Sequence, residues 1–138
     1  MAPLPPTGPI RVLIADDDAL IRDALTTVLK GVDDVAVVGT ACNGAQALEL
    51  TSIQHPDVVL MDISMPVMSG IEATALLTAM HEDVRVLIFS GHAGWEKMRA
   101  ARDAGASGYI PKGGNPDVIV AALRTVKDGG TAWANGVK

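Results

Sequence analysis

Asp16, Asp17 and Asp18 stand in a row after the apolar run Ile10-Arg11-Val12-Leu13-Ile14-Ala15, and Asp62 closes a second run, Val58-Val59-Leu60-Met61. Carboxylates gathered at the ends of buried strands are unfavourable on their own. Two like charges ~4 Å apart repel by about 4 kcal/mol at the effective dielectric of a protein surface. Such a cluster persists where a cation neutralises it or where its altered acidity is put to use. Two more polar groups end later runs: Ser90 after Val84–Phe89, and Lys112 after Ile110-Pro111. Carboxylates, a hydroxyl and an ammonium facing one crevice form a phosphoryl-transfer constellation. Oxygen ligands suit Mg²⁺, with Mn²⁺ as the alternative. The cation and Lys112 would offset charge on the phosphoryl oxygens, and Ser90 would donate a hydrogen bond to one of them. A carboxylate then serves as nucleophile and forms an acyl phosphate. Asp62, alone on its strand, is the better nucleophile, while Asp16 and Asp17 read as the metal-holding pair and Asp18 as a helix cap.

Positioning these groups requires strands that end together. Continuous apolar runs at 10–15, 35–40, 57–62, 84–90 and 107–110 read as parallel strands covered on both faces. Segments of helical periodicity lie between and after them, at 19–30, 43–53, 70–80, 94–104 and 116–128. Leu20, Ile21, Ala24, Leu25, Val28 and Leu29 form a stripe read as core, Gly31 supplies a stop, and Asn43 and Asn115-Pro116 supply starts. Five βα units predict an α/β, flavodoxin-like three-layer sandwich: a five-stranded parallel sheet of order 2-1-3-4-5 with five helices. That order makes strands 1 and 3 neighbours, so Asp16, Asp17 and Asp62 meet at the carboxyl edge. It also places the fifth strand at an edge, where Pro111 is tolerated. The expected organisation is a disordered leader over 1–9, one domain over 10–128, and a tail or start of linker over 129–138.

The composition agrees with a single compact domain: 138 residues, 49% hydrophobic and 20% charged. A net charge of -5 argues against a general nucleic-acid surface. The one cysteine, Cys42, permits no intrachain disulfide and fits a reducing cytoplasm. No run approaches the ~20 apolar residues of a membrane span. His55, His81 and His92 lack zinc spacing and read as surface residues. Met61, Met65 and Met68 read as gap-fillers, and Trp95 and Trp133 as partly buried.

Together these motifs resemble receiver domains, the phosphoacceptor domains of bacterial two-component response regulators. The resemblance rests on Val12–Asp17, Met61-Asp62-Ile63-Ser64-Met65-Pro66-Val67-Met68-Ser69-Gly70, Phe89-Ser90-Gly91 and Gly105–Lys112, in the right order from about residue 10 to residue 128. It implies that Asp62 takes the phosphoryl group from a sensor histidine kinase. Asp16, Asp17, Asp62 and the backbone carbonyl of Ser64 would bind the metal, and Lys112 would contact phosphoryl oxygens. Ser90 and Tyr109 would be the switch pair, Ser90 moving to the phosphate and Tyr109 turning inward. Gly91 would keep the phosphate accessible, and Ser64 and His92 would tune dephosphorylation. Most receivers place proline directly after the lysine; here the order is Pro111-Lys112-Gly113.

Ile119–Gly130 is similar to the last receiver helix of the NarL/LuxR family of transcription factors. That likeness implies a C-terminal helix-turn-helix domain, absent here, as the route to DNA, and self-association on phosphorylation. The dimer face would be the first and fifth helices, or the surface of the fourth helix, fifth strand and fifth helix. A stand-alone receiver working through protein contacts is the alternative. In neither case is the chain an enzyme acting on other molecules. A phosphatase of the haloacid dehalogenase type fits less well. It would need its nucleophile in the 16–18 run and Thr or Val where Leu20 stands, and it leaves Asp62 without a role.

Overall fold

The computed structural model describes residues 8–91 and 94–133. Strands and helices alternate: β1 (Ile10–Ala15), α1 (Ala19–Lys30), β2 (Val35–Ala41), α2 (Gly44–Gln54), β3 (Val58–Met61), α3 (Gly70–Met80), β4 (Arg85–Ser90), α4 (Trp95–Asp103), β5 (Gly108–Pro111), α5 (Pro116–Lys127) and β6 (Ala132–Trp133). All strand pairs are parallel, in the order β2-β1-β3-β4-β5-β6.

The flavodoxin-like α/β arrangement stands, but the sheet has six strands rather than five. The sixth comes from the segment read as tail. After α5, Gly129 turns into the left-handed region (φ 92). Its N–H donates to Val126 O at 3.0 Å and that of Gly130 to Thr125 O at 2.9 Å, the pair of bonds that closes a helix with a Schellman turn. The chain then reaches the β5 edge, where Ala132 N–H donates to Ser107 O at 2.9 Å. Because β6 pairs only with Gly108 and Tyr109, Pro111 keeps an open outer side and its missing N–H costs nothing. At the other terminus Gly8 and Pro9 are exposed, and residues 1–7 of the expected leader lie outside the described residues.

Alternation along the strands builds two cores. Val12 and Ile14 of β1, Leu60 of β3, and Leu87 and Phe89 of β4 pack against Leu25 and Leu29 of α1 and Leu123 and Val126 of α5. Leu13, Val59, Met61, Ile88 and Tyr109 face the other way, onto Ala47, Ala73, Leu77, Met98 and Ala101 of α2, α3 and α4. Each fully buried Leu, Ile or Val contributes ~1.5–3 kcal/mol, which is why three-layer burial positions the strand ends rigidly.

Only part of the α1 stripe is core. Leu25 and Leu29 are buried, Ile21 is half-buried, and Ala24, Val28 and Leu20 (77% exposed) face outward. The helix touches the sheet along a line narrower than the apolar arc. Its start is as expected: Asp18 Oδ1 accepts the Leu20 N–H at 2.9 Å. Asn43 caps α2 through Gln46 N–H, and Asn115 caps α5 ahead of Pro116. Gly31 ends α1 in a right-handed conformation (φ -81), so its freedom from a side chain is not what stops the helix. Trp95 is exposed, with Arg99 over its ring, whereas Trp133 is half-buried. His55 is exposed, but His81 is half-buried at the end of α3. All described peptide bonds are trans.

Candidate functional site

The neighbouring β1 and β3 end side by side, with Ala15 opposite Met61. The residues that follow each strand therefore emerge at one edge. Asp62 N–H donates to Ala15 O at 2.9 Å, and Asp16 N–H to Ala41 O at 3.0 Å, extending the ladder to the carboxylates themselves. One oxygen from each of Asp16, Asp17 and Asp62 lies within 4.8 Å of the others. Asp16 and Asp62 are buried (1% and 6% exposed), and Asp17 is exposed at the rim.

Lys112 bridges the two buried carboxylates. Its Nζ lies 2.7 Å from Asp16 Oδ2 and 3.5 Å from Asp62 Oδ1. Lys112 N–H donates to Ser90 O at 2.9 Å, which ties the loop after β5 to the end of β4. The ammonium also sits 5.9 Å from the centre of the Phe89 ring. Asp16 Oδ1 accepts the Asp18 N–H and Asp62 Oδ1 accepts the Ile63 N–H, both at 2.9 Å. Apart from the ammonium, Asp16 Oδ2 has no polar partner among the described residues. A buried carboxylate oxygen facing two other carboxylates is the donor set a hard cation takes, and the three aspartates fit Mg²⁺.

The electrostatics follow from that crowding. Burial holds the Asp62 carboxyl above the usual aspartate range, the Asp16 charge pushes it further, and Lys112 only partly offsets both. For Lys112, burial acts against the charged form, yet the hydrogen bond to Asp16 and the Asp62 and Asp16 charges outweigh it and raise its pKa. Tyr109 is fully buried. Burial raises its pKa, its hydrogen bond with Ser90 works the other way, and the Asp62 charge adds to the rise.

The edge thus brings together Asp16, Asp17, Asp62, Lys112, Ser90 and Tyr109, with Tyr109 already inside. Ser64 is exposed in the loop two residues beyond Asp62. A side chain at Gly91 would meet nothing within 4 Å, so that position is open to solvent. His92 lies outside the described residues.

Three residues shape the site without having been assigned a part in it. A Cβ on Gly70 would fall 1.9 Å from Asp62 O and 2.8 Å from Asp62 C, so α3 can start where it does only with glycine there. Val67 has φ +69, and Met68 N–H donates back to Pro66 O at 2.7 Å, forming a strained γ-turn in the loop after Asp62. Arg22 reaches from α1 to donate to the Asp16 carbonyl at 2.6 Å. A glycine inside the Asp62 motif was the one visible signal; neither Val67 nor Arg22 carries any.

Residues 12–124 match the family described as response regulator receiver domain. The transcriptional regulatory protein LnrK of Bacillus subtilis is 39% identical over 121 residues, covering 88% of this chain and 55% of LnrK. The chain therefore spans about half the length of the curated relatives it matches. A LuxR-family two-component response regulator from Aurantimonas superposes with a TM-score of 0.86 at 32% identity, covering 91% of this chain and 89% of that one. The signal receiver domain of NarL from Mycobacterium tuberculosis gives 0.85 at 34%, covering 88% and 98%. With the ends of β1 and β3 converging on one carboxylate cluster and with these relatives, the chain belongs to the response regulator receiver domain family, on its NarL/LuxR branch.

Proposed function

We propose that the chain is a phosphoacceptor switch in which Asp62 takes a phosphoryl group from the phosphohistidine of a sensor kinase. The observation that carries this reading is the ammonium of Lys112 held between two buried carboxylates, one of which follows the central strand β3. An Asp62 carboxylate oxygen attacks phosphorus, the phosphorus–nitrogen bond of the donor breaks, and the imidazole leaves with the bonding pair and takes a proton. The attacking group is the ionised carboxylate, which burial and the Asp16 charge disfavour in the metal-free protein, so neutralising Asp16 readies Asp62 for attack. Lys112 offsets charge on the transferred group, and Ser90 donates a hydrogen bond to it after turning from Tyr109. Asp16, Asp17 and Asp62, with the Ser64 carbonyl, would hold Mg²⁺, which when bound neutralises the carboxylates and the phosphoryl oxygens.

Acetyl phosphate with Mg²⁺ is the direct test. One aspartyl phosphate per chain, absent in Asp62→Asn, supports the switch. Sustained hydrolysis of phosphomonoesters that survives Asp62→Asn and is lost in Asp16→Asn would refute it in favour of a phosphatase. Because LnrK is named a transcriptional regulatory protein and this chain covers 55% of it, the output we infer is transcriptional, through a DNA-binding unit outside this chain. Phosphorylation-driven dimerisation and a cytoplasmic location belong to the same reading. No described helix is long and apolar enough to cross a membrane. Sedimentation with and without beryllofluoride tests the dimer: an unchanged monomer would refute it.

A further inference from the structure

The β6 strand is seated on Tyr109, a fully buried aromatic that also touches the site. Tyr109 and Trp133 are register partners in parallel strands, so their side chains leave the sheet on the same face. Trp133 packs against the core cluster that holds Tyr109, Met98 and Ala101, covering the β5 edge beside α4. The seat is built to receive main chain. A Cβ on Gly108 would meet Ala132 O at 2.4 Å and Leu87 Cδ1 at 2.8 Å, so glycine is what lets the segment come this close. From Tyr109 the contacts run inward: its hydroxyl is hydrogen-bonded with Ser90, which ends β4 beside Lys112 and is 3% exposed.

We propose that Thr131–Trp133 is a docked strap occupying the β5 edge in cis, and that its seat on Tyr109 couples its release to phosphorylation of Asp62. The inference rests on the phosphoacceptor reading above. A phosphoryl group brings about -1.5 to -2 charge and strong acceptor oxygens to the end of β3. Turning Ser90 toward those oxygens takes its hydroxyl from Tyr109, and the ring resettles. Trp133 is the next side chain on that face, and a ladder of only two residue pairs, Gly108 with Ala132 and Tyr109 with Trp133, holds it down. So short a strand sits at the weak end of local stability and responds to a small change in its seat. The freed edge then exposes unpaired main chain between α4 and α5.

The coupling is reciprocal, which gives two independent measurements. Trp95→Phe leaves Trp133 as the only indole of the two tryptophans in the chain. In that variant, beryllofluoride with Mg²⁺ should raise acrylamide quenching of Trp133, while fluorine NMR reports occupancy of the site. Ala132→Pro removes the N–H given to Ser107 and should bind beryllofluoride tighter by roughly five-fold. Bound beryllofluoride with unchanged quenching, and unchanged affinity in Ala132→Pro, overturns the strap and leaves the phosphoacceptor reading intact. Absence of bound beryllofluoride in Trp95→Phe and wild type alike overturns both.

Discussion

Replacing the phosphoacceptor by its neutral isostere, Asp62→Asn, should make the metal-free protein more stable. Asp62 is attracted to Lys112 at 3.5 Å. Taking an effective dielectric of ~20, that attraction is about 5 kcal/mol. It is repelled by Asp16 and Asp17, whose nearest oxygens lie within 4.8 Å. Each repulsion is at least about 3.5 kcal/mol on the same scale, with that from the exposed Asp17 reduced by solvent. The Coulomb sum is thus near balance, and the cost of burying the Asp62 carboxylate tips it against the charge, as the raised pKa shows. The expected gain in Asp62→Asn is ~1–2 kcal/mol at pH 7 in chelator, a few degrees in Tm for a domain of this size. The sign with pH is fixed by the direction of the shift. Folding binds a proton at Asp62, so wild-type stability falls as pH rises from the ordinary aspartate value of 3.8 through the raised one. The advantage of Asp62→Asn should therefore vanish below that window and be complete above it. Urea unfolding followed by circular dichroism, from pH 3 to pH 8 in EDTA, measures this. Wild type more stable than Asp62→Asn at neutral pH, or a difference that does not change with pH, would refute the reasoning. Adding Mg²⁺ at a hundred-fold excess over its Kd should stabilise wild type by about 2.7 kcal/mol and the variant by less.

Other substitutions probe the surroundings. Gly70→Ala should cost more than ~3 kcal/mol, because the colliding atoms are the Asp62 backbone; a urea melt within ~1 kcal/mol of wild type would contradict this. Val67→Gly should relieve the positive-φ strain of the γ-turn and stabilise by about 1 kcal/mol, and a lower urea midpoint would count against strain there. Lys112→Met should slow phosphorylation from acetyl phosphate by ~100-fold or more, measured by phosphate-affinity gels; an unchanged rate would remove Lys112 from the chemistry. Arg124 grips Asp34 through two hydrogen bonds of 2.8 Å and holds its carboxyl below the usual range. That pair adds stability above the ordinary value, lost as pH falls through the lowered one, and carboxyl NMR should show Asp34 titrating in the usual range in Arg124→Gln.

The sheet order and the site were legible because both rest on short-range signals. A carboxylate directly after an apolar run reports a strand end, and the order 2-1-3-4-5 turns two such ends into neighbours. Lys112 and Ser90 were readable the same way. What escaped has no local signature. Ala132-Trp133 is too short for any periodicity, and its strand exists because Gly108 leaves space for it on another element. The α1 stripe misled because periodicity marks an apolar arc, whereas burial depends on how much of that arc the sheet reaches. Ala24 and Val28 instead line, with Phe89, Lys112 and Gly113, a shallow apolar recess of about 160 Å³ beside the site. The left-handed backbone at Val67 is set by the closure of the loop onto α2, where Gly44 N–H donates to Met68 O at 3.0 Å. A valine offers no hint of it.

The sixth strand bears on where this chain can be cut or joined. A boundary drawn at the end of α5, where helical periodicity stops, would strip the cover from Gly108 and Tyr109. The bared parallel edge would offer main-chain donors and acceptors to any neighbouring strand, a common start of self-adhesion. Reporter fusions and minimal fragments should keep the chain through Trp133, and an insertion is better tolerated after it than within Gly129–Trp133.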